Sequence, residues 1–158
     1  MNSSNGVTSN NTQFSVFLAN KPGLLAHVCQ SLADSKINIL AMSMMDSTEH
    51  GVLRLVAEDP ELTRQTLARL NIPMTETTVL LATLPNRPGA LAHVVEQFSS
   101  AHISVNYAYC TTGAPGGKTL GVFRVSDPQK ASKILAERQP RRRLEAAAMR
   151  KPAVARRR

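Results

Sequence analysis

The chain has 158 residues with no Trp and only 4% aromatics, so a folded core must be built from aliphatic side chains. The formal net charge is +8, yet residues 1–137 hold ten Lys/Arg against ten Asp/Glu, while 138–158 hold nine against Glu145 alone. Charge therefore points to partners only for the tail, and two cysteines exclude a disulfide framework.

No run of ~18 apolar residues is available to span a membrane. The polar Met1–Gln13 stretch lacks the apolar region of a signal peptide. A cytoplasmic location is expected, with Cys29 and Cys110 as reduced core residues.

Residues 1–12, rich in Asn, Ser and Thr, are expected to be disordered. The apolar run Phe14–Ala19 predicts a strand. Asn20 is placed to cap a helix, with Pro22 tolerated in its first turn, where a missing N–H costs nothing. Leu24, Leu25, Val28 and Leu32 recur at helical spacing. Ile37–Met45 predicts a second strand, with Met42, Met44 and Met45 expected in core or interface packing. Gly51–Ala57 is its hairpin partner. Asp59 and Pro60 open a second helix with Leu62, Thr66, Leu67 and Leu70 on its apolar face. A strand within Ile72–Thr78 then runs straight into Val79–Leu84.

From there the pattern repeats. Asn20-Lys21-Pro22-Gly23-Leu24-Leu25-Ala26-His27-Val28 returns 66 residues later as Asn86-Arg87-Pro88-Gly89-Ala90-Leu91-Ala92-His93-Val94, identical at seven of nine positions. Ile37-Asn38-Ile39 matches Ile103-Ser104-Val105, Gly51-Val52-Leu53-Arg54 matches Gly121-Val122-Phe123-Arg124, and Asp59-Pro60 matches Asp127-Pro128. The second helix face is read as Leu91, Val94, Val95 and Phe98. The second copy ends near Leu135, and its last strand is not found. The segment that follows is dense in Arg and broken by Pro140 and Pro152, which suits a strand poorly.

The fold class is therefore α+β: two tandem ferredoxin-like βαββαβ units, each an antiparallel sheet covered by two helices. The boundaries are a disordered 1–12, a first unit at 13–78, a second at 79–137, and a basic tail at 138–158.

Two signals are set aside. Gly113–Thr119 looks like a phosphate-binding loop but has three residues between its outer glycines where that loop needs four, and it joins two strands. It is read as a hairpin. His27 and His93 are equivalent helix-face positions without further ligands, so no metal is expected. No nucleophile–base or paired-carboxylate arrangement stands out, so neither catalysis nor a cofactor is expected.

The two Pro-Gly loops carry the chemistry that remains. Gly23 and Gly89 lack a Cβ, which allows close approach to the backbone. Each loop opens a helix whose N–H groups and partial positive charge suit a carboxylate. The plainer alternative is that Pro-Gly only turns a strand into a helix.

The N-x-P-G loop followed by an amphipathic helix and an Ile-Asn-Ile strand resembles the ACT domain. Both copies do so in order, over about residues 13–136, and Ile103–Tyr109 is similar to the second strand of small stand-alone tandem ACT proteins. The resemblance implies a regulatory module binding a small ligand, usually an amino acid, where two ACT units meet. The implied ligand-binding residues are Asn20, Lys21, Pro22, Gly23, Leu24, Leu25 and Asn38 in the first copy. In the second they are Asn86, Arg87, Pro88, Gly89, Ala90, Leu91, Ser104 and Asn106.

In the serine-sensing ACT domain of phosphoglycerate dehydrogenase, a loop Asn and another Asn eighteen residues later contact the ligand. Asn20 and Asn38 match that spacing, whereas Ser104 replaces the second Asn of the later copy. Leu18 and Leu84 stand where that domain has a His, which argues against serine itself. Implied partners are a small amino acid, a second copy of the chain joined through ACT sheet edges, and a regulated enzyme of unidentified type. The tail is expected to be solvated and disordered. The alternative is a nucleic-acid-associated regulator using Arg141, Arg142, Arg143, Arg156, Arg157 and Arg158 under ligand control.

Overall fold

The computed structural model describes residues 8–45, 50–114 and 117–137. In chain order these form β1 (Thr8–Ala19), α1 (Leu24–Asp34), β2 (Ile39–Met45), β3 (His50–Ala57), α2 (Pro60–Arg69), β4 (Met74–Pro85), α3 (Ala90–Ser100), β5 (Val105–Ala114) and β6 (Lys118–Val125). A fourth helix, α4, covers 128–137. The basic tail lies outside the described residues.

The strands form one six-stranded antiparallel sheet in the order β2-β3-β1-β4-β6-β5. Two separate four-stranded sheets would need eight strands. Six suffice because β1 and β4 are each 12 residues long and serve both units. The later half of β1 opens the first unit, and the early half of β4 closes it. The later half of β4 opens the second unit, and the early half of β1 closes it, with Thr8–Thr12 paired to Ala82–Thr78.

This pairing corrects two expectations. Residues 8–12 are strand, and they occupy the place of the strand missing from the second copy. The physical reason is pairing across the chain: a polar segment with no apolar pattern of its own forms strand because β4 offers it a ladder of backbone hydrogen bonds. Thr12 and Thr78 are repeat equivalents and also face each other across the ladder. The internal pseudo-two-fold axis therefore passes between them.

All four helices cover one face. Even-numbered β1 residues Phe14, Val16 and Leu18 pack with Val28 and Leu32 of α1 and Leu67 of α2. On β4, Leu80, Ala82 and Leu84 pack with Val94 and Phe98 of α3 and Ala131 and Leu135 of α4. On α3 the buried stripe is Val94, Gln97 and Phe98, and the expected Leu91 and Val95 are exposed at 45% and 39%. The helix is rolled so that residues three and four apart meet the sheet, which leaves those two at its flanks.

The opposite face curls on itself. The outer strands β2 and β5 approach within 8 Å, Cα to Cα, around a small apolar cluster of Ala41, Val56, Val79, Leu81 and Val122. Next to it lies a polar tie across the curl. The fully buried Gln13 of β1 donates through Nε2 to the Tyr107 hydroxyl at 2.8 Å, and the Tyr109 hydroxyl donates to Gln13 Oε1 at 3.1 Å. The Arg54 guanidinium of β3 sits 4.0 Å above the Tyr107 ring. Burial, and then the neighbouring Tyr107, push the Tyr109 hydroxyl well above the usual tyrosine range.

Other details depart from the sequence reading. Cys110 is exposed and Cys29 is half-buried, both free. Met42, Met44 and Met45 on the outer strand β2 are 41–47% exposed in the single chain. No helix among the described residues is long and apolar enough to cross a membrane.

Candidate functional site

Both Pro-Gly loops adopt the same conformation. Gly23 and Gly89 have φ of 86° and 81°, the left-handed region that favours glycine, and each stands at the N-cap of its helix. No side chain caps either helix. The expected Asn20 cap is therefore corrected: the turn is made by Lys21 N–H to the Ala19 carbonyl and Leu24 N–H to the Lys21 carbonyl, with Gly23 at the cap. By contrast, Asp59 caps α2 as expected, accepting from Leu62 N–H at 2.9 Å with Pro60 in the first turn. The regular helical ladder of α3 begins only at His93 N–H to the Gly89 carbonyl, 3.0 Å. The uncapped start of α3 thus presents partial positive charge toward whatever lies before it.

What lies before α3 is a cavity of about 690 Å³. Its wall includes the whole loop from Asn86 to Gly89, together with Ala90, His93 and Gln97 of α3. Thr8 of β1, Lys118 of β6 and Leu135 of α4 complete it. The early half of β1, which closes the second unit, thus contributes Thr8 to the wall. Lys118 is paired across the ladder with Pro85, which brings its side chain to the mouth of the loop.

Gln97 is the unusual member of this wall. It is only 7% exposed and its Nε2 donates to the His93 carbonyl at 3.2 Å, but its Oε1 is buried with no hydrogen-bond partner among the described residues. A buried acceptor without a donor costs ~1–3 kcal/mol. An N–H donor that reaches this oxygen recovers that cost. Gln97 also borders a recess of about 200 Å³ beside Ser100, Ala101 and Ile134. Sequence reading missed it because a helical Gln looks like a surface residue. The available signal was its place at helical spacing from Val94 within the apolar stripe.

The other expected site residues fall elsewhere. Asn20–Gly23 are exposed, and Leu24 and Leu25 pack against the first core. Asn38 is exposed and donates to Glu58 at 2.8 Å. Ala19 pairs with His50 and Ile39 with Ala57, at opposite ends of eight-residue β3. Asn20 and Asn38 lie beyond those ends and are therefore separated by roughly 24 Å or more at ~3.4 Å per residue, and one chain does not bring them together. Ser104 and Asn106 are likewise remote from Asn86. Ser104 N–H donates to Ser126 Oγ beyond the far end of β6, whereas the loop adjoins its start at Lys118. Leu91 is exposed beside the loop.

The model of the ACT domain pair matches residues 10–145. The chain belongs to the ACT domain-pair family. Protein BT0572 from Bacteroides thetaiotaomicron is similar, at 31% identity and a TM-score of 0.74, over 86% of this chain and 92% of that one. The regulatory subunit of aspartate kinase from Thermus thermophilus shares the fold at 12% identity and a TM-score of 0.58, over 84% and 96%. The aspartokinase alpha and beta subunits do so at 13% and 0.54, over 83% and 95%. No curated protein sequence matches the chain. ACT units are regulatory modules, and among the described residues a cavity opens at the loop of the second unit.

Proposed function

We propose that this ACT domain pair is a sensor that binds a small amino acid in the cavity at the Asn86–Gly89 loop and regulates a partner without catalysing a reaction. The observation that carries the reading is the pairing of two complementary features in one cavity. The uncapped α3 start and Lys118 favour a carboxylate, and the buried, unpartnered Gln97 Oε1 lacks a donor. An α-amino acid supplies both groups on adjacent atoms. Pro88 and Gly89 let it reach the backbone, and Asn86 and Arg87 stand at the mouth with side chains free of intramolecular hydrogen bonds among the described residues.

The likeness to the regulatory subunit of aspartate kinase supports a regulatory role, exercised on an enzyme held in a separate chain. The exposed methionines of edge strand β2 support assembly of two chains through that edge. A cytoplasmic location accords with this role. A thermal-shift screen against the twenty common amino acids tests the reading, since a ligand specific for the folded state raises the melting temperature by mass action. At least one small amino acid is expected to do so in a saturable way. No shift with any of them contradicts the reading.

A further inference from the structure

We infer that the duplication has left one working site per chain: the second repeat is open, and the first is a copy plugged by its own side chains. The inference rests on the reading of the second-loop cavity as the ligand site and adds which residues keep it open.

The repeat and the strand register identify the same positions as equivalent. Leu24 corresponds to Ala90, 66 residues on. Val16 corresponds to Ala82. Met74 pairs across the ladder with Val16, and Thr8 pairs with Ala82, so Met74 and Thr8 are also equivalent. In the first unit Val16 is fully buried and the half-buried Leu24 and Met74 pack against the core; in the second, Ala82 stays in the core as a smaller side chain. In the second unit Ala90, Ala82 and Thr8 line the cavity. Each change removes heavy atoms, and all three are at the loop end of the unit.

Deeper in the second unit the change runs the other way. Leu32 becomes Phe98 and Leu53 becomes Phe123, and the two rings meet edge to face at 5.6 Å. The second core is therefore filled at its floor and hollowed at its loop end, which a general loss of packing does not produce. The polar partner changes with it. Ser31, equivalent to Gln97, satisfies itself by donating to the His27 carbonyl at 2.9 Å, whereas Gln97 keeps an unmet buried acceptor. Among the described residues, the Ser31 hydroxyl is thus satisfied within its own helix, and Gln97 Oε1 is not.

The test uses isothermal titration of the full chain with each of the twenty common amino acids, together with melting temperatures of Ala90→Leu and Leu24→Phe. An amino acid that binds should do so at one per chain, and Ala90→Leu should weaken it at least tenfold by filling the cavity. Two ligands per chain, or unchanged affinity in Ala90→Leu, overturns the inference. If no amino acid binds the wild type, the amino-acid reading falls, and the plug is judged on the free protein. Ala90→Leu should then leave the melting temperature unchanged or raise it, because it enters empty space, while Leu24→Phe should lower it by several degrees, because it enters filled space. A fall with Ala90→Leu as large as that with Leu24→Phe overturns the plug itself.

Discussion

Three residues, Gln97, Gly89 and Tyr109, show how local chemistry decides the behaviour of this molecule. Gln97 carries a cost in the free protein that a ligand removes. Gln97→Met keeps the shape and removes the orphaned acceptor, so the free protein should be as stable or up to ~1–2 kcal/mol more stable by urea unfolding. Affinity for an amino acid should fall about tenfold. A residue with a purely structural role would show a loss of stability instead. At Gly89 an added Cβ meets no atom within 4 Å, so the penalty is conformational: φ of 81° is strained for any branched side chain. Gly89→Val should cost ~1–3 kcal/mol of stability and abolish binding measured by titration, since relieving the strain moves the loop.

Tyr109 gives a pH prediction. Its folded pKa lies above the usual ~10 for tyrosine, so the folded state favours the neutral hydroxyl. The associated stability is complete below pH ~10 and is lost as pH rises toward the folded value. Tyr109→Phe leaves Gln13 Oε1 without its donor, and at pH 7 it should cost ~1–3 kcal/mol. Urea melts at pH 8 and pH 11 should show the gap between wild type and variant narrowing at the higher pH. A constant gap would mean that the hydroxyl does not titrate with unfolding.

The elements were legible to different degrees, for reasons visible in their residues. The helices at 24–34 and 60–69 and the long strand through 74–85 follow from strong local patterns: a Pro-Gly start, an Asp-Pro cap and a continuous β-favouring run. The early half of β1 was not legible. Asn10 and Asn11 have little strand propensity and the segment has no apolar alternation, so it is the ladder of β4 that makes it strand. Because these residues close the second unit and supply Thr8 to the cavity, the site itself was half hidden. The Pro-Gly loop could be read, but its wall could not. A variant lacking residues 1–12 should therefore lose stability by several degrees in melting temperature and lose ligand binding, although the segment looks like a polar leader. Melting curves with and without amino acid check this, and an unchanged melting temperature would show that β1 before Gln13 contributes nothing to the fold.

On the scale of the whole molecule, the same sharing of strands makes the two units one body. With β1 and β4 common to both, neither unit has a complete sheet alone, and unfolding of the full chain should follow a single transition. The pseudo-two-fold axis between Thr12 and Thr78 would by itself give two identical sites. The chain departs from that symmetry at Leu24/Ala90, Met74/Thr8 and Ser31/Gln97, and these departures coincide with the cavity. The repeat was plain in the sequence because its loop motifs are nearly identical. The asymmetry was not, because the equivalence of Thr8 and Met74 exists only through the cross-strand register. The Gln13–Tyr107–Tyr109 tie then fixes the curl that joins the outer strand of one unit to the first strand of the other.

A ligand seated in the cavity before α3 changes the amide chemical shifts of the residues around it, which NMR reads residue by residue. The isotopically labelled chain is titrated with each amino acid that raises its melting temperature. Saturable shifts are expected, centred on the amides of Gly89, Ala90, Leu91 and Ala92 and extending to Gln97, Lys118 and Thr8, with the loop at Asn20–Gly23 unmoved. Shifts centred on Asn20–Gly23, or spread over the edge strands with the α3 start silent, would contradict it.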